Sequence, residues 1–246
     1  MRRFLVSIIL AGAALGQVGC RTDKGSIPSS QMDEGTNGSA ARPAETASVV
    51  PPSPAKVIAR VPDTRPLIVC FGDSLTAGYG AEDGESYPDF LQKDLDQDGY
   101  HYRVVNEGIS GNTTKDGVDR LPGIIAMKPD VVVLEFGGND GLRGFKVPTT
   151  RTNLSTMITG LQRGGAKVVL AGITLPPDYG SDYISSFTAT YPLLGKKYRV
   201  PVLPFLLKDV YGVDGMMQAD KTHATNKGNE VVARNVVPFV EPLLKR

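Results

Sequence analysis

The chain has 246 residues, 41% of them hydrophobic and 22% charged, enough for one domain with a sizeable core. Its 27 basic and 26 acidic residues leave a formal net charge of +1, and no stretch is strongly basic, which argues against a nucleic-acid binder working through a basic face. Two cysteines, Cys20 and Cys70, exclude a disulfide scaffold and a cysteine-held zinc site, and two histidines, His101 and His223, leave little room for a histidine-rich metal centre.

The first element in chain order is a targeting segment. Arg2 and Arg3 precede an apolar stretch at 4–15, which has the length of a signal-peptide core and is too short to span a bilayer comfortably. Gln17-Val18-Gly19-Cys20 is similar to a lipoprotein cleavage box with Cys20 as the lipid-bearing residue, although Gln17 stands where an aliphatic residue is usual. Ala14-Leu15-Gly16 offers an ordinary signal-cleavage site instead. The leader is placed at 1–19. Export is expected on either reading, with the protein held at a bacterial envelope membrane through Cys20 or released as a periplasmic or secreted protein. Residues 20–65 contain no aromatic side chain and are rich in Pro, Ser, Ala, Thr and Gly. Such a stretch cannot bury enough apolar surface to offset its ordering entropy and is expected to be a disordered tether.

From residue 66 to 246 apolar runs of strand length alternate with amphipathic stretches. Strands are expected at 67–71, 102–106, 131–136, 167–173 and 201–203. Helices are expected at 87–97, 114–126, 149–163, 183–198 and 225–244, with Pro122, Pro192 and Pro238 interrupting or kinking three of them. The run Val131-Val132-Val133-Leu134 is continuous rather than alternating, as in strands covered on both faces. The alternation of strand and helix predicts an α/β domain with a parallel sheet and helices on both faces. Chemistry in such a domain belongs in the loops at the carboxyl ends of the strands.

Four of those loops carry reactive or donor groups. Gly72-Asp73-Ser74-Leu75 follows the first strand, and Gly72 lets the chain turn sharply there. Ser74 reads either as a helix N-cap or as a nucleophile whose own N–H helps hold an oxyanion. Ser110-Gly111-Asn112-Thr113 follows the second strand; Gly111 can offer an unobstructed N–H, or the segment is a turn before a threonine cap. Gly137-Gly138-Asn139-Asp140 follows the third strand; Asn139 can donate to a developing negative charge, or Asn139 or Asp140 caps the next segment. Asp220-Lys221-Thr222-His223 precedes the last helix, and an acid three residues before a histidine can fix its tautomer and leave Nε2 free as a base. His101 falls at the amino end of its strand, the wrong edge for catalysis. A nucleophile, oxyanion donors and an Asp/His pair on one sheet edge are the set that acyl transfer needs.

This ordered set resembles the SGNH, or GDSL, hydrolases, whose four signature residues match Ser74, Gly111, Asn139 and His223, with Asp220 completing the triad. The run from Gly137 to Phe145, Arg120-Leu121-Pro122, Leu175-Pro176 with Tyr179-Gly180, and Val200 to Phe205 are similar to the bacterial thioesterase I / protease I / lysophospholipase L1 branch, which includes arylesterases. The family often has an aliphatic residue before the histidine and proline after it, where this chain has Thr222 and Ala224. That departure is expected to alter loop rigidity, not the triad. The resemblance implies a flavodoxin-like three-layer α/β/α sandwich with a five-stranded parallel sheet. It implies Ser74, Asp220 and His223 as catalytic residues, and the N–H groups of Ser74 and Gly111 with the Asn139 side chain as oxyanion hole. No metal or organic cofactor is implied. The substrate is expected to be a small-molecule or lipid acyl ester, with Ile109, Leu142 and Tyr179 as candidate pocket residues. A monomer with no nucleic-acid partner is expected, and Cys70 is expected to be an inert core thiol. Two alternatives stand beside an esterase or thioesterase: a carbohydrate O-deacetylase, and a tethered binding protein that has lost catalysis.

Overall fold

The computed structural model describes residues 63–246; the leader at 1–19, Cys20 and the tether as far as residue 62 lie outside the described residues. Five parallel strands form one sheet: β1 (Leu67–Gly72), β2 (Arg103–Gly108), β3 (Val131–Glu135), β4 (Lys167–Ala171) and β5 (Val202–Leu203), in the spatial order β2-β1-β3-β4-β5. β1 and β3 are buried at every position because they occupy the centre and carry helices on both faces. Cys70 stands opposite Asn106 on one side and Val133 on the other, so the strands end together at one edge. Burial pushes the Cys70 thiol up to about 12, which leaves it protonated and unreactive.

The helices are α1 (Ser74–Ala77), α2 (Tyr87–Gln97), α3 (Thr114–Ala126), α4 (Gly138–Leu142), α5 (Val147–Arg163), α6 (Ser181–Thr188), α7 (Thr190–Tyr198) and α8 (Asn226–Val240). α2 packs on α8, while α3 packs on α5 and α5 on α7, giving one helical layer on each face of the sheet. At the ends of β1 and β3, Phe71 and Phe136 meet edge to face with ring centroids 4.8 Å apart. Such a pair contributes about 0.5–1.5 kcal/mol beyond its buried area and pins the two strand ends from which the site begins. Ahead of β1, Arg65 pairs with Asp63 at 2.8 Å and donates to Tyr102 O at 3.1 Å.

The helices at 87–97 and 114–126 form with the expected bounds, and the expected interruption of the fourth helix is present, but other details differ. α3 and α8 run through Pro122 and Pro238, each forfeiting one backbone bond without ending the helix. The helix expected at 183–198 is two, α6 and α7, divided at Ala189. The division places Pro192 in the first turn of α7, where a missing N–H removes no intrahelical bond. The last helix ends at Val240 and passes into a 3-10 turn at Glu241–Leu243. No described helix is long and apolar enough to cross a membrane.

Candidate active site

Gly72 closes β1, and its role is space rather than a turn. A Cβ there would lie 2.0 Å from Thr76 Oγ1 and 2.5 Å from Glu135 Oε2. The cap of α1 is Asp73, not Ser74: its Oδ1 accepts from Leu75 N at 3.1 Å. Ser74 is therefore the first helical residue. Its N–H is one of the groups a helix start leaves without an intrahelical partner, and its side chain is free for another task. That side chain meets His223, with Oγ 2.8 Å from Nε2.

His223 sits in the loop between β5 and α8. Its Nδ1 lies 2.6 Å from Asp220 Oδ2, and its backbone N–H donates to Asp220 Oδ1 at 3.0 Å, as does that of Thr222 at 2.9 Å. Desolvation raises the Asp220 pKa, but the hydrogen bond from the His223 ring and the two backbone N–H groups outweigh it and hold the carboxyl at about 2. Asp220 is thus ionised at neutral pH and selects the tautomer with Nδ1 protonated and Nε2 facing Ser74. The loop is held by Gln218. Its N–H donates to His223 O at 2.8 Å, and its Nε2 donates to Tyr79 O at 2.7 Å and Ala224 O at 2.8 Å. Thr225 N donates to Met216 O at 2.9 Å, closing a bridge between Met217 and Ala224. Hydrogen bonds thus brace this loop, in which Ala224 rather than proline follows the histidine.

Asn139 lies on α4, directly after β3. Its Nδ2 donates to Asp73 Oδ2 at 3.1 Å and to Asn112 O at 3.0 Å, which fixes the nitrogen side of the amide between the loops that follow β1 and β2. Asp140 does not cap its own helix, which starts from Gly137 without a side-chain cap. It is buried and accepts from Thr114 N at 2.8 Å and Thr150 Oγ1 at 3.1 Å, locking α4 to the starts of α3 and α5. Gly111 has φ +81°, a conformation that favours glycine, and nothing lies within 4 Å of where a Cβ would be. Arg143 Nη2 donates to Gly111 O at 3.0 Å and ties its loop to the one after β3. The expected turn after β2 does end in a threonine cap, Thr113, whose side chain forms a capping box with Asp116.

Ser74, Gly111, Asn139 and His223 open onto one cleft of about 290 Å³. Its apolar wall includes Leu75, Tyr79, Ile173, Leu175 and Phe205. Of the pocket candidates, Leu142 lines this cleft. Ile109 and Tyr179 do not. Ile109 is 47% exposed just before the Gly111 turn, while the Tyr179 hydroxyl donates to Leu142 O at 2.8 Å and braces the wall from behind. Three contributors escaped the sequence reading. Tyr79 packs on the His223 ring with centroids 4.7 Å apart, Phe205 enters from the segment after β5, and Gln218 latches two loops together. Their positions depend on contacts between residues far apart in sequence; only the aromatic pair Phe205 and Tyr211, just beyond the last strand, left a local signal. Among the described residues no group of three or more His, Cys, Asp or Glu could hold a metal ion.

Residues 70–231 match the model of the GDSL-like Lipase/Acylhydrolase family. The chain belongs to that family. It is 43% identical over 178 residues to Esterase TesA of Pseudomonas aeruginosa, a match covering 72% of this chain and 89% of the relative. It is 35% identical over 178 residues to Thioesterase 1/protease 1/lysophospholipase L1 of Escherichia coli K12, covering 72% and 84%. The crystal structure of TesA superposes with a TM-score of 0.70 at 42% identity, covering 72% of this chain and 99% of that one. The five-stranded parallel α/β fold and the carboxylic ester hydrolase class follow from these likenesses. As a GDSL-like acylhydrolase, the chain acts on small-molecule acyl esters.

Proposed function

We propose that this GDSL-like hydrolase is a serine esterase and thioesterase of arylesterase or lysophospholipase type, working through a covalent acyl-enzyme. The observation that carries this reading is the unbroken line Asp220–His223–Ser74, at 2.6 and 2.8 Å, ending in an apolar cleft. Ser74 Oγ attacks the acyl carbonyl carbon while its proton passes to His223 Nε2, and the carbonyl π electrons move onto oxygen. The N–H groups of Ser74 and Gly111 and the Asn139 amide receive that oxyanion. Collapse of the tetrahedral species expels the alcohol or thiol, which takes the proton from His223. Water, activated by the same histidine, then releases the acid. Asp220 orients the imidazole and stabilises its protonated form. The leader at 1–19 supports export, with Cys20 as the point of attachment to an envelope membrane.

Hydrolysis of p-nitrophenyl esters from acetate to palmitate tests the substrate class. Turnover is expected to peak at medium or long acyl chains, because the wall beyond Ser74 is apolar and each buried methylene contributes about 0.8 kcal/mol. Activity confined to acetate would move the assignment to a carbohydrate O-deacetylase. A folded protein inactive at every length would point to a binding protein.

A further inference from the structure

Directly beneath the nucleophile loop lie two buried carboxyl groups that the mechanism above does not use. Glu135 ends β3 and has no exposed surface; Asp73 caps α1 and is 2% exposed. A charged residue at the end of a fully buried strand is costly unless it is paired or neutral. The donors around the pair settle which group carries a proton. Asp73 Oδ1 accepts from Leu75 N and Oδ2 from Asn139 Nδ2, so both of its oxygens behave as acceptors. Glu135 Oε2 accepts from Asp73 N at 3.2 Å and Thr76 Oγ1 at 2.9 Å. Glu135 Oε1 is buried and receives no donor, which leaves it as the one oxygen of the four free to carry hydrogen. The two carboxyl groups share one buried corner, where Asp73 N–H reaches Glu135 Oε2 at 3.2 Å.

We propose that Glu135 is a neutral carboxylic acid donating its O–H to the Asp73 carboxylate, and that it acts through Asp73 as a positioning residue for Asn139. Burial and the facing Asp73 charge both push the Glu135 carboxyl upward, in keeping with this placement of the proton. The arrangement does two things. It keeps Asp73 as an acceptor, so that the Asn139 amide presents nitrogen rather than oxygen to the cleft. It also leaves a single negative charge, tempered by a hydrogen bond, behind the place where the oxyanion forms; two ionised carboxylates there would oppose that charge.

The inference rests on the oxyanion role of Asn139, and its test is separable from that role. In the full-length wild-type protein labelled with carboxyl-13C glutamate, the Glu135 carbon should resonate as a neutral acid at neutral pH. The signal is assigned by its loss in Glu135→Gln. Glutamine keeps a donor toward Asp73 and an acceptor toward Thr76, so this variant should retain kcat within about threefold. Glu135→Ala should lower kcat on the order of 10- to 100-fold with KM nearly unchanged. An ionised Glu135 at neutral pH in the folded wild-type protein would overturn the proposal, and that reading stands whether or not Glu135→Ala folds. A folded Glu135→Gln variant as impaired as Glu135→Ala would overturn it as well. An unchanged kcat in Asn139→Ala would instead remove the oxyanion role and leave the carbon measurement intact.

Discussion

Replacing Ser74 with alanine is expected to lower kcat on the order of a millionfold, the scale seen when the nucleophile of a serine triad is removed. Among the described residues Ser74 Oγ has one side-chain hydrogen-bond partner, His223 Nε2, and it lines the cleft rather than the core. Its loss should therefore leave the fold and the substrate cleft intact. KM should change little, and melting temperature less than for a core substitution. The oxyanion donors and the cleft would still act on a water molecule, so residual catalysis of about 1,000- to 10,000-fold over water should persist. A phosphonate ester should label the wild-type protein once, on the Ser74 peptide, and leave the alanine variant unlabelled. Near wild-type turnover in Ser74→Ala would mean that another residue attacks the acyl carbon.

Asn139→Ala should lower kcat about 100- to 1,000-fold, or about 2.7–4 kcal/mol of barrier, again with KM close to wild type. The split arises because the ground-state carbonyl needs little from the amide, whereas the tetrahedral oxyanion needs a preorganised donor. Preorganisation is visible in the substrate-free geometry. Nδ2 is bracketed by Asp73 Oδ2 and Asn112 O, so its orientation is fixed before substrate arrives. Both amide hydrogens are engaged there, and the oxyanion must share one of them. Asp140 anchors the backbone behind Asn139 through Thr114 and Thr150, so truncation of the neighbouring side chain should not unravel α4. A variant with near wild-type kcat would remove Asn139 from the oxyanion hole.

Much of the architecture was legible because its signals are local. Val131 to Leu134 announce a strand covered on both faces, and the period of apolar residues along 87–97 and 114–126 announces helices that form with those bounds. The reactive loops could be placed because a parallel sheet sends all its strand ends to one edge. What escaped was set by partners distant in sequence. Nothing local says that Asp73 rather than Ser74 caps α1, since either side chain can accept from a helix N–H. Glu135 was legible only as an acid closing an apolar strand; its meaning depends on Asp73, 62 residues earlier. The interruption of the 183–198 segment was legible in Pro192, but its place at Ala189 was not, and the identity of the cleft wall depends on which aromatic rings the final loop folds back. Ile109 and Tyr179 were placed near the site by sequence position, yet one side chain faces solvent and the other supports Leu142.

The Gln218 latch bears on how the enzyme fails with heat. The sheet is held by a continuous apolar core, but residues 218–223 are mostly exposed and are joined to the nucleophile loop through the Gln218 carboxamide and the His223–Ser74 contact. Segments fixed by a few solvent-facing hydrogen bonds open at far lower free-energy cost than the core unfolds. Warming should therefore swing the acid–base segment away from Ser74 while the strands are still paired. Activity should fade reversibly several degrees below the melting transition seen by circular dichroism, and cooling should restore it without refolding.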